Sequence, residues 1–93
     1  MTAVHPTTRP TPENVLAVVT DVLALVCEKP VSSLSRETAL ADIGADSLAR
    51  VELAELVEER LAGYAPDLHI PDADLEAFRT VGDAADFVAS RVG

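Results

Sequence analysis

Ile43-Gly44-Ala45-Asp46-Ser47-Leu48 marks the point where an irregular segment gives way to a long amphipathic run, Leu48 to Leu61. Ser47 follows an acidic residue and begins the helical period. Its hydroxyl is therefore expected at a helix N-terminus, where free backbone N–H groups and the positive end of the dipole favour an anion such as a phosphate. Asp46 or Ser47 could also simply cap the helix, the usual task of such residues at a boundary. At about 100° per residue, Leu53, Ala54, Val57 and Leu61 share one side of the run, and Glu52, Glu55, Glu58 and Glu59 share the other. Leu48 and Val51 fall among the glutamates. A cap needs no exposed apolar neighbours, so these six residues read as a docking surface with an apolar centre and an acidic surround.

Gly44-Ala45-Asp46-Ser47-Leu48, followed by Val51-Glu52-Leu53, closely resembles the attachment site of the acyl carrier protein family, the phosphopantetheine-binding carriers, in its free-standing bacterial type. The resemblance extends to Ile70-Pro71-Asp72 and to Thr80-Val81-Gly82-Asp83-Ala84, and so covers roughly Thr11 to Val92. It implies that Ser47, flanked by Asp46 and Leu48, carries a 4′-phosphopantetheine arm through a phosphodiester, and that the terminal thiol holds an acyl chain as a thioester. A phosphopantetheinyl transferase would donate the arm from coenzyme A. Acyltransferase, ketosynthase and other synthase enzymes would then dock through basic patches. The chain departs from the family pattern at Ala49 and Glu55, and Arg50 adds a positive charge between them. Fatty acid and polyketide synthesis both remain open as the pathway. A peptidyl carrier of nonribosomal synthesis and an acidic helical adaptor without a prosthetic group are the competing readings.

Upstream, Thr11-Pro12-Glu13 reads as a helix start: Thr at the cap, Pro at the first helical position, Glu in the first turn. Val15, Leu16, Val19, Val22, Leu23 and Val26 then recur at helical spacing to about Cys27 or Glu28, with Pro30 expected to stop the helix. Residues 31–46 form a connection without sustained periodicity. A connection that long in a small domain should be anchored or functional; Leu34, Leu40 and Ile43 are its candidate anchors, and Gly44 permits a positive φ just before the site.

Downstream, Gly63 is expected to end the second helix as a left-handed residue, with Pro66 preventing its continuation. Asp72 is expected to cap a short helix through about Phe78. Thr80 and Asp83 resemble a capping box for a last helix to about Arg91, with Val81, Ala84, Ala85, Val88 and Val92 inward and Phe87 at the edge. The fold class is thus all-α: a small bundle of three main helices and one short one, with a long first loop and no strand. Residues 1–10 are expected to be a flexible tail and residues 11–93 the carrier domain.

A chain of 93 residues buries only about 60–65 % of its unfolded surface, so the core must be modest. Its aromatic residues are Tyr64, Phe78 and Phe87, which leaves Val, Leu, Ile and Ala to build the interior. A core of that kind can part along its helix seams, and Leu53, Val57, Ile70 and Leu75 are expected to line a conditional pocket for an acyl chain. A net charge of −9 without a basic cluster excludes nucleic acid as a partner. No run approaches the roughly 20 apolar residues of a membrane span. With no basic-then-apolar leader, a cytoplasmic location is expected; the Met start and short tail suggest a free-standing protein, with an excised domain of a larger synthase as the alternative, and a monomer is expected. The single cysteine, Cys27, makes no internal disulfide and reads as a small core residue. Catalysis by the chain itself would need a base for Ser47. His69 has no orienting third group, Glu58 and Glu59 diverge around the helix, and the acidic positions near Asp42 do not fit a calcium loop. No catalytic or metal-binding residue is assigned.

Overall fold

Thr11 has the extended backbone of a helix cap, and its Oγ1 accepts a hydrogen bond from the Asn14 N–H at 3.0 Å. Helix α1 (Pro12–Cys27) begins there, with Pro12 at a position whose missing N–H leaves no bond unmade. The computed structural model describes residues 11–92; the tail expected over residues 1–10 lies outside the described residues. Val15, Val19, Val22 and Leu23 are buried, and Leu16 and Val26 pack at the core's edge. The helix ends before Pro30 is reached. Glu28 adopts φ 56°, an uncommon conformation for a non-glycine residue, and the Lys29 N–H donates to the Ala24 carbonyl at 3.0 Å.

The long connection is tied down by its backbone. It contains two short 3-10 turns, Val31–Ser33 and Leu40–Ile43, with Leu40 and Ile43 buried and Leu34 half-buried. The Leu40 N–H donates to the Arg79 carbonyl (2.9 Å), the Val81 N–H to Thr38 (3.0 Å) and the Gly82 N–H to Arg36 (2.9 Å). This pairing lays the loop against the start of the last helix. Gly82 makes the approach possible, since a Cβ there would stand 3.1 Å from the Arg36 carbonyl oxygen. The Arg36–Asp86 ion pair beside it, at 2.7 Å, is exposed on both sides and adds little to stability.

Helix α2 (Ser47–Arg60) buries Leu53, Ala54 and Val57, and Leu61 just beyond its end, as the periodicity requires. Gly63 does not terminate it in a left-handed turn. The cap is Leu61 at φ −101°, and overlapping bonds to its carbonyl from the Tyr64 N–H (3.0 Å) and the Ala65 N–H (2.8 Å) continue as turns past the helix. Among the described residues Gly44, at φ 75°, is the glycine with positive φ.

Helix α3 (Asp72–Ala77) corrects a second detail. Pro71 occupies its cap position without a side-chain bond, and Asp72 is the first helical residue. Leu75 and Phe78 point inward as expected. Helix α4 (Val81–Val92) opens on the anticipated capping box: the Asp83 N–H donates to Thr80 Oγ1 (3.1 Å), and Asp83 Oδ2 accepts from the N–H groups of Thr80 (3.2 Å) and Arg79 (3.0 Å). Its buried face is Val81, Ala84, Ala85, Val88 and Val92, with Phe87 at the edge under the Arg91 guanidinium. α1 packs on both α4 and α2, and α3 packs on α2. No strand occurs among the described residues; one isolated bridge joins Ala39 and Thr80.

The backbone N–H groups of Arg79 and Thr80 hold the Asp83 carboxyl below its ordinary value. A group depressed in the folded state contributes stability above its unfolded pKa, and that stability is lost as pH falls through the folded value. Urea denaturation of Asp83→Asn should therefore give lower stability than wild type at neutral pH. The gap should close as pH drops below the ordinary aspartate value of about 3.9.

Candidate functional site

Asp46, not Ser47, caps α2. Its Oδ1 accepts from the Ala49 N–H at 2.9 Å, and its own carbonyl accepts from the Arg50 N–H at 2.9 Å. Ser47 is the first helical residue and is exposed. Of the N–H groups that a helix start leaves open, no hydrogen bond reaches those of Ser47 and Leu48 among the described residues. A solvent-facing hydroxyl thus stands at the positive end of α2, with donors beside it suited to a phosphodiester.

The approach to Ser47 is set by Gly44. Its left-handed backbone closes the Leu40–Ile43 turn, and the Ala45 N–H returns to the Leu40 carbonyl at 3.0 Å. Ala45 and Ala49 are buried on either side of the cap, so small side chains let the loop end and the first turn of α2 lie close to the core.

Arg50 is turned onto backbone carbonyls. Nε donates to the Ala45 carbonyl at 3.0 Å, and Nη1 donates to the carbonyls of Leu75 (2.6 Å), Phe78 (2.8 Å) and Glu76 (3.3 Å). The guanidinium joins the loop end to the C-terminus of α3, whose last carbonyls have no helical partners. Hydrogen bonds from a charged donor each contribute about 1.5–3 kcal/mol. The charge of Arg50 is thus spent on backbone carbonyls.

Leu48 is 68 % exposed and Val51 39 %, with Glu52, Glu55 and Glu59 exposed around them. Glu58 is set apart: its Oε2 accepts from the Ile70 N–H at 2.9 Å and lies 3.7 Å from His69 Nδ1, so this carboxylate ties the α2–α3 connection to α2. His69 is 75 % exposed and its ring faces Glu58. Cys27 is half-buried; burial first, then the Asp46 and Glu52 carboxylates, push its thiol up, leaving it protonated at neutral pH. Leu53, Val57, Ile70 and Leu75 all lie in the one core cluster. A recess of about 70 Å³ opens beside Ser47, lined also by Arg50, Val51, Asp72, Leu75 and Glu76. Among the described residues no group of three or more metal-ligating side chains occurs, and no helix is long and apolar enough to cross a membrane.

Sequence reasoning missed the clamp made by Arg50. The one available signal was that, at about 100° per residue, Arg50 falls on the side shared by Leu53, Val57 and Leu61 and away from the glutamates.

Residues 17–88 match the family profile described as "Phosphopantetheine attachment site". An acyl carrier protein of Clostridium perfringens (strain 13 / Type A) is 45 % identical over 51 residues, which are 55 % of this chain and 60 % of that protein. An acyl carrier protein of Phenylobacterium zucineum (strain HLK1) is 46 % identical over 52 residues, covering 56 % of this chain and 60 % of that protein. The chain thus spans about 60 % of the length of these curated relatives.

Replacing Asp46 by Ala removes the acceptor for Ala49 and should lower stability by about 1 kcal/mol, whereas Asp46→Asn should retain most of it. Urea titrations of the two variants check this.

Proposed function

Because the chain belongs to the phosphopantetheine attachment site family, we propose that it is an acyl carrier protein bearing its 4′-phosphopantetheine on Ser47. The observation that carries this reading is the division of labour at the start of α2: Asp46 does the capping, so the Ser47 hydroxyl is left exposed and unspent. In the transfer, Ser47 Oγ loses its proton and forms a phosphodiester with the pantetheine-bearing phosphorus of coenzyme A. The phosphoanhydride bond breaks, and adenosine 3′,5′-bisphosphate leaves. A transferase supplies the base for this step. When bound, the arm supplies a terminal thiol that holds acyl groups as thioesters. The protein is a non-catalytic carrier, and its own residues position, display and are recognised.

Leu48 and Val51, exposed within a ring of carboxylates, serve as the contact for partner enzymes. Glu52, Glu55 and Glu59 steer basic surfaces toward them, and Glu58 adds charge while holding the Ile70 segment. Such exposed charge raises association rates more than affinity, which suits a carrier that must leave each enzyme. The partners are a phosphopantetheinyl transferase, an acyltransferase, a ketosynthase and related enzymes of fatty acid or polyketide synthesis. The site of action is the cytoplasm. An acidic helical adaptor without an arm has no use for an unspent serine at this position.

Incubation with coenzyme A and a phosphopantetheinyl transferase should add one arm to the wild type, read by intact mass. Ser47→Ala should fold and stay unmodified, and an arm on that variant would refute the assignment. Reversing Glu52 and Glu55 to Lys should slow loading by partner enzymes and flatten its salt dependence, because exposed charges are screened within about 10 Å at 0.1 M salt. Stopped-flow or steady-state rates across an ionic-strength series measure both effects.

A further inference from the structure

Building on the reading of Ser47 as the attachment point, we infer that Arg50 decides which cargo this carrier can take into its interior. It latches α3 against the first turn of α2, so that long saturated chains are kept out and short or carbonyl-rich acyl groups are carried on the surface.

Arg50 follows Ser47 by three positions, so the two side chains leave neighbouring points of the same turn. The recess between them is about 70 Å³. Leu75, which lines it, belongs to the same core cluster as Leu53, Val57 and Ile70, and all four are buried. A chain starting from an arm on Ser47 reaches them only if α3 moves away from α2. That movement separates Arg50 Nη1 from the carbonyls of Leu75, Glu76 and Phe78, while Nε stays with Ala45 at the start of α2. The opened seam would hold three carbonyls and a guanidinium edge facing an alkyl chain, which offers neither a donor nor an acceptor in exchange. Opening is therefore opposed by the loss of one clustered set of charge-assisted bonds. Cargo that needs no interior room is unaffected by the latch.

The test uses the whole chain with arms transferred from butyryl-, octanoyl- and dodecanoyl-coenzyme A, each product checked by intact mass and then melted. Arg50→Met keeps the aliphatic stem and removes every donor, whereas Arg50→Lys keeps the charge and loses the planar fork. Each methylene that enters the core raises Tm by about 3–6 °C in a domain of this size. Wild type should melt at the same temperature with all three chains. Arg50→Met should melt lower with butyryl and climb with chain length, and Arg50→Lys should show an intermediate slope. A residue with only a structural role would lower Tm equally at every chain length, and parallel slopes in all three proteins overturn the inference. A wild-type Tm that climbs as steeply as that of Arg50→Met overturns it as well. If Arg50→Met does not fold, the slope of Arg50→Lys against wild type decides the question in the same way. A chain that gains no mass from any of the three donors refutes the carrier reading itself, before any melting curve is taken.

Discussion

One guanidinium sits where two segments of this chain end. Arg50 reaches the carbonyl of Ala45 at the close of the long loop and those of Leu75, Glu76 and Phe78 at the end of α3. Each of these carbonyls lies where regular backbone pairing stops, and a fixed planar donor satisfies them together. The same contact joins α2 to the end of α3 beside the recess at Ser47. The core offers no comparable specificity, since aliphatic residues pack in many ways at similar energy.

Ser47 is free because its neighbours take the structural roles. Asp46 caps, Gly44 turns the chain, Ala45 and Ala49 let the backbone come close, and Arg50 folds back. A serine that had to cap α2 would have its oxygen committed to a backbone N–H. Here it is displayed at the positive end of a 14-residue helix. The carboxylates that follow are divided too: Glu52, Glu55 and Glu59 face solvent, while Glu58 secures the Ile70 segment.

Much of this was readable before any coordinates, and the legible parts share a cause. The Thr11 cap, the Thr80–Asp83 box, the buried stripes of α1 and α4 and the place of Ser47 all depend on residues within about four positions of one another, so sequence spacing fixes their geometry. The parts that escaped involve partners remote in the chain or choices among equivalent turns. Arg50 meets carbonyls 25 to 28 residues away, and a backbone acceptor leaves no mark in side-chain identity. Glu58 meets the Ile70 N–H 12 residues on for the same reason. Gly63 could have ended α2 in a left-handed turn, but the Leu61 carbonyl is met by right-handed turns instead. Glu28, with no glycine's freedom, takes the left-handed position at the end of α1.

The central claim is chemical and local: the arm belongs on the hydroxyl that Asp46 leaves unspent. The most direct test is tandem mass spectrometry of a protease digest of the protein after modification from coenzyme A. Fragment ions should place the whole phosphopantetheine on Ser47 within the tryptic peptide of residues 37–50. Fragments that place it on Ser32, Ser33, Ser35 or Ser90 would contradict the account.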